Sequence, residues 1–181
     1  MKISAVIVLY KPNVEMFLRV IKSLQTQVNK LYVIVNEEQD YDFSEFSNVD
    51  IEILGKNYGI AYAQNRGINK ALKSNADYIL LSDQDTIYPE NYIESFLPFI
   101  KNNTAAVYCP IFYDNIKKVY SPIMIKKFTP YYNIEEPTFV QQAIASGTII
   151  DCSIFASITS DISVCLLLLF LILLFALFLK S

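Results

Sequence analysis

Short apolar runs alternate with segments of helical spacing through about residue 113, and this alternation constrains the fold most strongly. Residues 3–10 (ISAVIVLY), 30–35 (KLYVIV) and 77–82 (DYILLS) are short, mostly apolar runs of the kind found in strands buried on both faces. Residues 14–28 carry apolar side chains at helical spacing, and Asn13 is a suitable N-cap for that helix. The sequence therefore predicts an α/β fold with a Rossmann-like, mostly parallel sheet and helices on both faces.

Other segments extend the alternation. Residues 49–54 suit a third strand and residues 60–74 a second helix, and residues 105–113 suit another strand. We expect Pro89 in the first turn of a third helix, where its missing N–H costs nothing. Residues 138–151 are predicted to supply further strand material.

Composition excludes several classes of function. The chain has 181 residues, a net charge of −3 and no histidine, so histidine triads and histidine-ligated zinc are excluded. Acid–base chemistry must come from carboxylates, tyrosine, lysine or cysteine. There is no basic footprint for nucleic acid. The three cysteines form no CxxC pair, and we expect them to be free in a reducing compartment.

Polar side chains stand where several predicted strands end. Tyr10, Asn36, Asn57 and Asp83 each lie at or just past the carboxyl end of a strand. Ligands of open α/β sheets bind beyond these ends, so we expect the four side chains to converge on one rim.

The sequence Asp83-Gln84-Asp85 places two carboxylates at that rim. Mg²⁺ and Mn²⁺ prefer oxygen ligands and are commonly held by one or two carboxylates together with substrate phosphates. The pair therefore predicts a divalent-metal site formed by Asp83 and Asp85. The alternative is a turn at the end of a strand, because aspartate side chains often bond the nearby backbone there.

The carboxyl-terminal region differs in composition. Residues 162–179 (ISVCLLLLFLILLFALFL) carry no charge, and as a helix they span roughly 27 Å, close to the ~30 Å hydrocarbon core of a bilayer. We expect a membrane-inserted helix here; a buried core helix or a frame-shifted sequence are the alternatives. The predicted organisation is a domain at 1–152, a connector at 153–161 and a hydrophobic segment at 162–179.

The segment GKNYGIAYAQNRGINKAL (55–72) carries a resemblance to a known family. Together with VIVLYKPN, SLQTQV, ADYILLSDQD and IASGTII, in the same order, it resembles family 2 glycosyltransferases, and most closely the bacterial rhamnosyltransferase branch. The resemblance runs from residue 3 to about 151. The alternative for this segment alone is a glycine-containing turn followed by an alanine-rich packing helix. The pattern is formed by Gly55, Asn57, Gly59, Ala61, Ala63, Asn65 and Gly67.

The resemblance implies a GT-A fold, a nucleotide-diphospho-sugar donor and inversion at the anomeric carbon. It implies that Tyr10 lies against the base and that Asn36 falls at or beside the residue that recognises it. Asp83 would then approach the ribose, and Asp85 would hold the metal on the diphosphate.

The residues themselves support a donor site. Asn57 offers a donor and an acceptor at a strand end, and Gly59 permits close approach of the backbone. Asn65 follows Asn57 by eight positions, about two helical turns, so we expect it to face the same rim.

LLSDQDTI also resembles the nucleophile motif of haloacid-dehalogenase-type phosphatases. That motif places threonine or valine where this chain has Ile87, and it follows the first strand rather than the fourth. We therefore favour the glycosyltransferase interpretation.

The chain departs from the family in two places. After the second strand it has VNEEQD, where the family often has V-D-N-x-S, so base recognition there would depend on a neutral group. Beyond the SGTII-like strand the only carboxylates are Asp151 and Asp161, and neither has a matching context. We assign no catalytic base and expect a domain with an incomplete acceptor half.

The sequence thus predicts a hexosyltransferase-type enzyme at the cytoplasmic face of a bacterial membrane. Its donor would be a dTDP- or UDP-linked sugar such as dTDP-rhamnose, and its acceptor a glycan or lipid-linked molecule in polysaccharide assembly. The alternative is a nucleotide-sugar-binding remnant, or a tail-anchored interaction protein, without turnover.

Overall fold

A computed structural model of the chain provides the structure. It describes residues 1–102, 105–111, 113–114, 118–120, 123–126, 129–131, 138–140, 145–156 and 176–179.

Helices and strands alternate through the first half of the chain and strands dominate the second. The strands are β1 (Ile3–Leu9), β2 (Lys30–Val35), β3 (Val49–Ile53), β4 (Tyr78–Ser82), β5 (Val107–Pro110), β6 (Tyr113–Asp114), β7 (Val119–Tyr120), β8 (Ile123–Lys126), β9 (Thr129–Tyr131), β10 (Thr138–Val140), β11 (Thr148–Asp151) and β12 (Ala176–Leu179). The helices are α1 (Val14–Leu24), α2 (Ile60–Lys73), α3 (Tyr92–Lys101) and α4 (Ser153–Ala156).

The main sheet has the strand order β3-β2-β1-β4-β11-β5-β12-β10. Strands β1 to β4 pair in parallel, whereas β11 runs antiparallel to both β4 and β5. Strands β6 and β7 form a separate pair, as do β8 and β9. The predicted mostly parallel α/β sheet is confirmed, and the antiparallel strand β11 lies inside it.

Helices cover both faces of this sheet, as predicted. Successive side chains of a strand point to opposite faces, and β1 shows the consequence. Ile7 belongs to the apolar cluster that contains Phe17 of α1 and Phe96 of α3. Its neighbour Val6 belongs to the cluster that contains Ile68 of α2. The sheet is therefore buried on both sides, which explains why its central strands read as continuous apolar runs.

The start of α1 agrees with the sequence prediction, whereas the start of α3 does not. Asn13 caps α1, and its Oδ1 accepts the N–H of Met16 at 3.0 Å. Pro89 was expected inside α3, but the helix begins at Tyr92. The Pro89 carbonyl instead accepts the Tyr92 N–H and the Gln27 side-chain amide, so Pro89 lies in the turn that leads into the helix.

The end of the apolar tail differs from the predicted helix. Ala176–Leu179 form β12, parallel to β5 and antiparallel to β10. A continuous apolar run suits a buried strand as well as a helix. Without β12 the edge of β5 would be unpaired, and pairing with that edge favours the strand. Residues 157–175, which hold most of the predicted membrane segment, lie outside the described residues. Within the described part of the chain, no helix has the length and apolar character needed to cross a membrane.

Helix α2 packs closely on the sheet at Gly67. A Cβ atom added there would collide with Cγ1 of Val6 and would lie 3.3 Å from Cγ1 of Ile34. Both neighbours are buried β-branched side chains with little freedom to move. The last glycine of the 55–67 pattern therefore sets the distance between helix and sheet.

We expect Gly67→Ala to lower the free energy of unfolding by about 1–3 kcal/mol, as overpacking of a core typically does. The exposed residue Asn69 on the same helix provides the control, because Asn69→Ala creates no such collision. Urea titration of both variants checks this expectation. Equal stability of the two variants would show that Gly67 is not needed for packing.

Candidate functional site

A cleft of about 490 Å³ lies at the carboxyl ends of β1, β2 and β4. All the predicted site residues except Asn65 line it, so the structure brings most of them together. The lining residues are Val8, Tyr10, Asn36, Asn57, Gly59, Ile60, Asp83, Gln84 and Asp85.

A second pocket of about 510 Å³ lies at the opposite end of β4, beside Asp77, Tyr78, Asp151 and Cys152. It contains none of the predicted site residues. We place the candidate site in the first cleft, because open parallel sheets bind ligands beyond the carboxyl ends of their strands.

Parallel strand pairing places the polar residues of the cleft at the carboxyl edge of the sheet. Leu9 of β1 pairs with Val35 of β2, so the next residues, Tyr10 and Asn36, leave the sheet side by side. The last pair between β1 and β4 joins Ile7 to Ser82, so Asp83 leaves at nearly the same level. The site is a direct consequence of strand register.

Asn36 holds the loop that follows β3. It is 3% exposed, its Nδ2 donates to Asn57 Oδ1 at 3.0 Å, and its Oδ1 accepts the Tyr58 N–H at 2.9 Å. Asn57 Oδ1 also accepts the Gly59 N–H at 2.8 Å. Both ends of the Asn36 side chain are thus used inside the protein. Contact of Asn36 with a nucleotide base stays a prediction. Its two hydrogen bonds in the structure hold the loop that follows β3.

Gly59 is required by backbone conformation. Its φ is +87°, in the region that favours glycine, and the space around a hypothetical Cβ is open. The residue stands at the start of α2, whose first turn carries no acidic side chain. The N-terminal end of a helix carries partial positive charge, so this end of α2 suits an anion in the cleft.

Asn65 does not line the cleft. The prediction counted two helical turns from Asn57, but α2 begins only at Ile60, so the helical count does not apply to the residues before it. The Oδ1 atom of Asn65 is buried and, among the described residues, has no hydrogen-bond partner. Asn65 is thus not among the cleft-lining residues, and its contact with a donor stays a prediction.

The backbone of the Asp83–Asp85 segment is held by the turn that precedes β11. The Asp83 N–H donates to Ser146 Oγ at 3.1 Å, and the Thr86 hydroxyl lies 3.0 Å from the same oxygen. Ser146 is 3% exposed. Sequence reasoning missed this role of Ser146, because its partners lie 60 or more residues away along the chain.

Gln84 and Asp85 form a turn directly after β4, as the alternative interpretation expected. The two carboxylates do not take part in it as other aspartates of the chain do. Asp42 accepts the N–H of Ser44, and Asp151 accepts the N–H of Ser153, in each case two residues ahead. Among the described residues, no backbone N–H donates to Asp83 or Asp85 in this way, so the turn leaves both carboxylates available to a ligand.

The charges of the pair repel each other. Partial burial, and then the neighbouring charge of Asp85, raise the pKa of Asp83. A divalent cation would relieve that repulsion, and two carboxylate groups are the oxygen ligands that Mg²⁺ or Mn²⁺ takes together with phosphate oxygens. In the described part of the chain no cluster of three or more ligating side chains occurs, so a cation here would draw its remaining ligands from substrate and water.

Tyr10 lines the same cleft and is 39% exposed. A side-chain hydrogen bond with Asn57, followed by one with Lys11, lowers the pKa of its hydroxyl. The Gln84 side chain bonds the Tyr10 backbone, and Glu37 Oε1 accepts the Lys11 N–H at 2.9 Å. Sequence reasoning assigned no role to Gln84 or Glu37, because their contacts with the Tyr10 loop join segments that are 74 and 26 residues apart.

The profile of glycosyl transferase family 2 matches residues 4–164, which is most of the chain. The chain belongs to glycosyltransferase family 2. The match continues beyond residue 151, where the motifs seen in the sequence ended. Family membership excludes the phosphatase interpretation of the Asp83–Asp85 motif.

Relatives of this family 2 glycosyltransferase chain agree with the assignment. It is 31% identical over 163 residues to the dTDP-rhamnosyl transferase RfbF of Shigella flexneri, across 84% of this chain and 55% of that protein. The chain thus spans about half the length of this curated relative.

Solved structures confirm the GT-A fold. TarS 1-349 of S. aureus superposes with a TM-score of 0.66 at 13% identity, across 99% of this chain and 58% of that one. The complex of TarS 1-349 with UDP-GlcNAc gives a TM-score of 0.64 at 12% identity, across 100% of this chain and 59% of that one.

The repulsion between the carboxylates gives a testable pH dependence. We expect Asp85→Asn to lower the pKa of Asp83, because the variant removes a neighbouring negative charge. NMR titration of the Asp83 carboxyl measures the change. Asp77→Asn, at the opposite end of the sheet, should leave the pKa of Asp83 unchanged. Equal pKa values of Asp83 in the wild type and both variants would contradict the repulsion between Asp83 and Asp85.

The raised pKa of Asp83 also predicts how protein stability and cation affinity change with pH. The folded state binds the proton more tightly than the unfolded state, so the free energy of unfolding should fall as pH rises through the pKa of Asp83. Cation binding needs the ionised form and should strengthen over the same interval. Denaturant titration across pH 3–7, with and without Mn²⁺, measures the free energy of unfolding and checks both expectations. If that free energy changes with pH in the same way with and without Mn²⁺, cation binding at Asp83 is contradicted.

Proposed function

We propose that the chain binds a pyrimidine nucleoside-diphosphate sugar with a divalent cation and transfers the sugar as a hexosyltransferase. The observation that carries the proposal is the gathering of Tyr10, Asn57, Gly59, Asp83 and Asp85 around one cleft at the carboxyl edge of a GT-A sheet. Family membership supports the nucleotide-sugar class of donor.

The two sides of the cleft suit the two ends of a donor. Tyr10 offers an exposed aromatic ring for the base, with Asn36 behind the loop that frames it. Asp83 would approach the ribose, and Asp85 would hold the cation on the diphosphate. The positive end of α2 at Gly59 faces the same cleft and favours the phosphates.

A bound Mg²⁺ or Mn²⁺ would neutralise charge that builds up on the departing diphosphate. The chain's own contribution is to bind and orient the donor and to place two oxygen ligands for the cation. Inversion at the anomeric carbon needs a general base for the acceptor hydroxyl. Asp151 is not placed for this step, because it pairs with Tyr78 and lines the pocket at the opposite end of β4. Asp161 lies outside the described residues, and the base is left unassigned.

The proposed donor is dTDP-rhamnose or a related dTDP- or UDP-linked sugar. The dTDP-rhamnosyl transferase RfbF is the relative that supports rhamnose, and the TarS complex with UDP-GlcNAc supports a pyrimidine nucleotide. The proposed acceptor is a glycan or lipid-linked molecule in polysaccharide assembly. The cytoplasmic face of a membrane is the proposed place of action; the uncharged sequence of residues 162–175 supports it, whereas Ala176–Leu179 belong to the sheet.

Calorimetry on the complete chain tests the donor site. We expect Asp85→Ala to reduce the affinity for dTDP or UDP in the presence of Mn²⁺ to the level measured with EDTA, because the variant removes a metal ligand. Circular dichroism should show an unchanged fold, since Asp85 is an exposed residue.

Asp40→Ala is the matched control, because Asp40 is an exposed aspartate on the loop after β2 and is not part of the cleft lining. Its affinity should equal that of the wild type. Metal-dependent binding that survives in Asp85→Ala would contradict the assigned metal site.

A second candidate function is binding of the nucleotide sugar without transfer. It is favoured by the position of Asp151, the described carboxylate that follows the SGTII-like strand, at the opposite end of β4 from the cleft. Transfer of rhamnose from dTDP-rhamnose to a lipid-linked acceptor distinguishes the two. Product formation by the wild type and its loss in Asp85→Ala supports the transferase, and nucleotide binding without any product supports the second candidate.

A further inference from the structure

Gln84 lies between the two aspartates and reaches back 74 residues along the chain to the backbone of Tyr10. Its Oε1 accepts the Tyr10 N–H at 2.9 Å, and its Nε2 donates to the Tyr10 carbonyl at 3.2 Å. One side-chain amide thus satisfies both polar groups of one residue's backbone. A neighbouring strand makes the same two kinds of bond in a sheet.

This contact begins where strand pairing stops. The backbone register between β1 and β4 runs from Ile3↔Tyr78 to Ile7↔Ser82. Beyond it, β1 continues to Leu9, and Lys11 then turns sharply with a φ of 46°. The Gln84 side chain therefore spans the gap between two loops that the sheet no longer joins.

The Tyr10 loop is held from a second direction by Glu37. Its Oε1 accepts the Lys11 N–H at 2.9 Å and the Tyr41 hydroxyl at 2.9 Å. Strand ends on both sides of β1 thus hold successive peptide groups of one loop. The loop contains Tyr10, and the segment that holds it through Gln84 contains Asp83 and Asp85.

We propose that Gln84 is a positioning residue, which fixes the Tyr10 loop relative to the segment that carries the acidic pair. The proposal rests on the proposed function, because it assigns the base to one side and the diphosphate to the other. A nucleoside diphosphate must meet both sides at once. A clamp that orders the two loops before the ligand arrives removes part of the ordering cost of binding.

Hydrogen exchange tests the clamp without any ligand. The Tyr10 amide should be protected in the wild type and exchange faster in Gln84→Met, which keeps the length of the side chain and removes both polar groups. The Lys11 amide is the internal control, because Glu37 holds it and should continue to protect it. Equal exchange of the Tyr10 amide in the two proteins would overturn the clamp.

Nucleotide binding by the Gln84→Met variant tests whether the clamp contributes to donor affinity. In Mn²⁺, Gln84→Met should lower the affinity of the complete chain for dTDP or UDP about tenfold, the loss expected when one or two ordinary hydrogen bonds disappear. The affinity for Mn²⁺–pyrophosphate, which meets the acidic side alone, should not change. A purely structural defect would weaken both ligands, and that result, or unchanged nucleotide affinity, would overturn the positioning role.

Failure of the proposed function has a different signature. If the wild type binds neither nucleotide with Mn²⁺, the donor site is wrong, and the exchange of the Tyr10 amide alone decides whether the clamp exists.

Discussion

Parallel pairing of β1 with β2 and β4 is the constraint on which the site depends. Parallel strands end at the same edge of a sheet, so the residues after Leu9, Val35 and Ser82 emerge together. Nothing local to Tyr10, Asn36 or Asp83 would bring them within reach of one ligand. The apolar residues that make the strands, and the close packing of α2 at Gly67 that holds one face of the sheet, therefore also build the cleft.

The acidic pair places two like charges at the ligand-binding edge. Partial burial and the charge of Asp85 raise the pKa of Asp83, and a side-chain hydrogen bond with Ser146 offsets part of that effect. Asp42 and Asp151, by contrast, accept the N–H groups two residues ahead. A bound cation would neutralise the pair, and Ser146 and Gln84 hold the segment that carries it.

The sequence predicted the parallel half of the fold well, because continuous apolar runs and helical spacing reflect burial directly. It also predicted which strand ends carry the polar groups of the cleft. Asn65 is not among the residues that line the cleft, because the helical spacing was counted from Asn57, which lies before the helix begins. Ala176–Leu179 were expected in a helix, since an apolar run alone does not distinguish a strand from a helix. The roles of Ser146, Glu37 and Gln84 depend on contacts between distant parts of the chain, which a single sequence does not reveal.

The most direct test of the site is the position of the metal–nucleotide complex on the molecule. Paramagnetic Mn²⁺ broadens the NMR signals of nearby amides, so the complete chain with Mn²⁺ and dTDP reports where the complex lies. We expect selective broadening of Gly59, Asp83, Gln84 and Asp85, while Cys152 and Ser153 at the opposite end of β4 stay sharp. Broadening centred on Cys152, or spread evenly over the protein, would contradict this expectation.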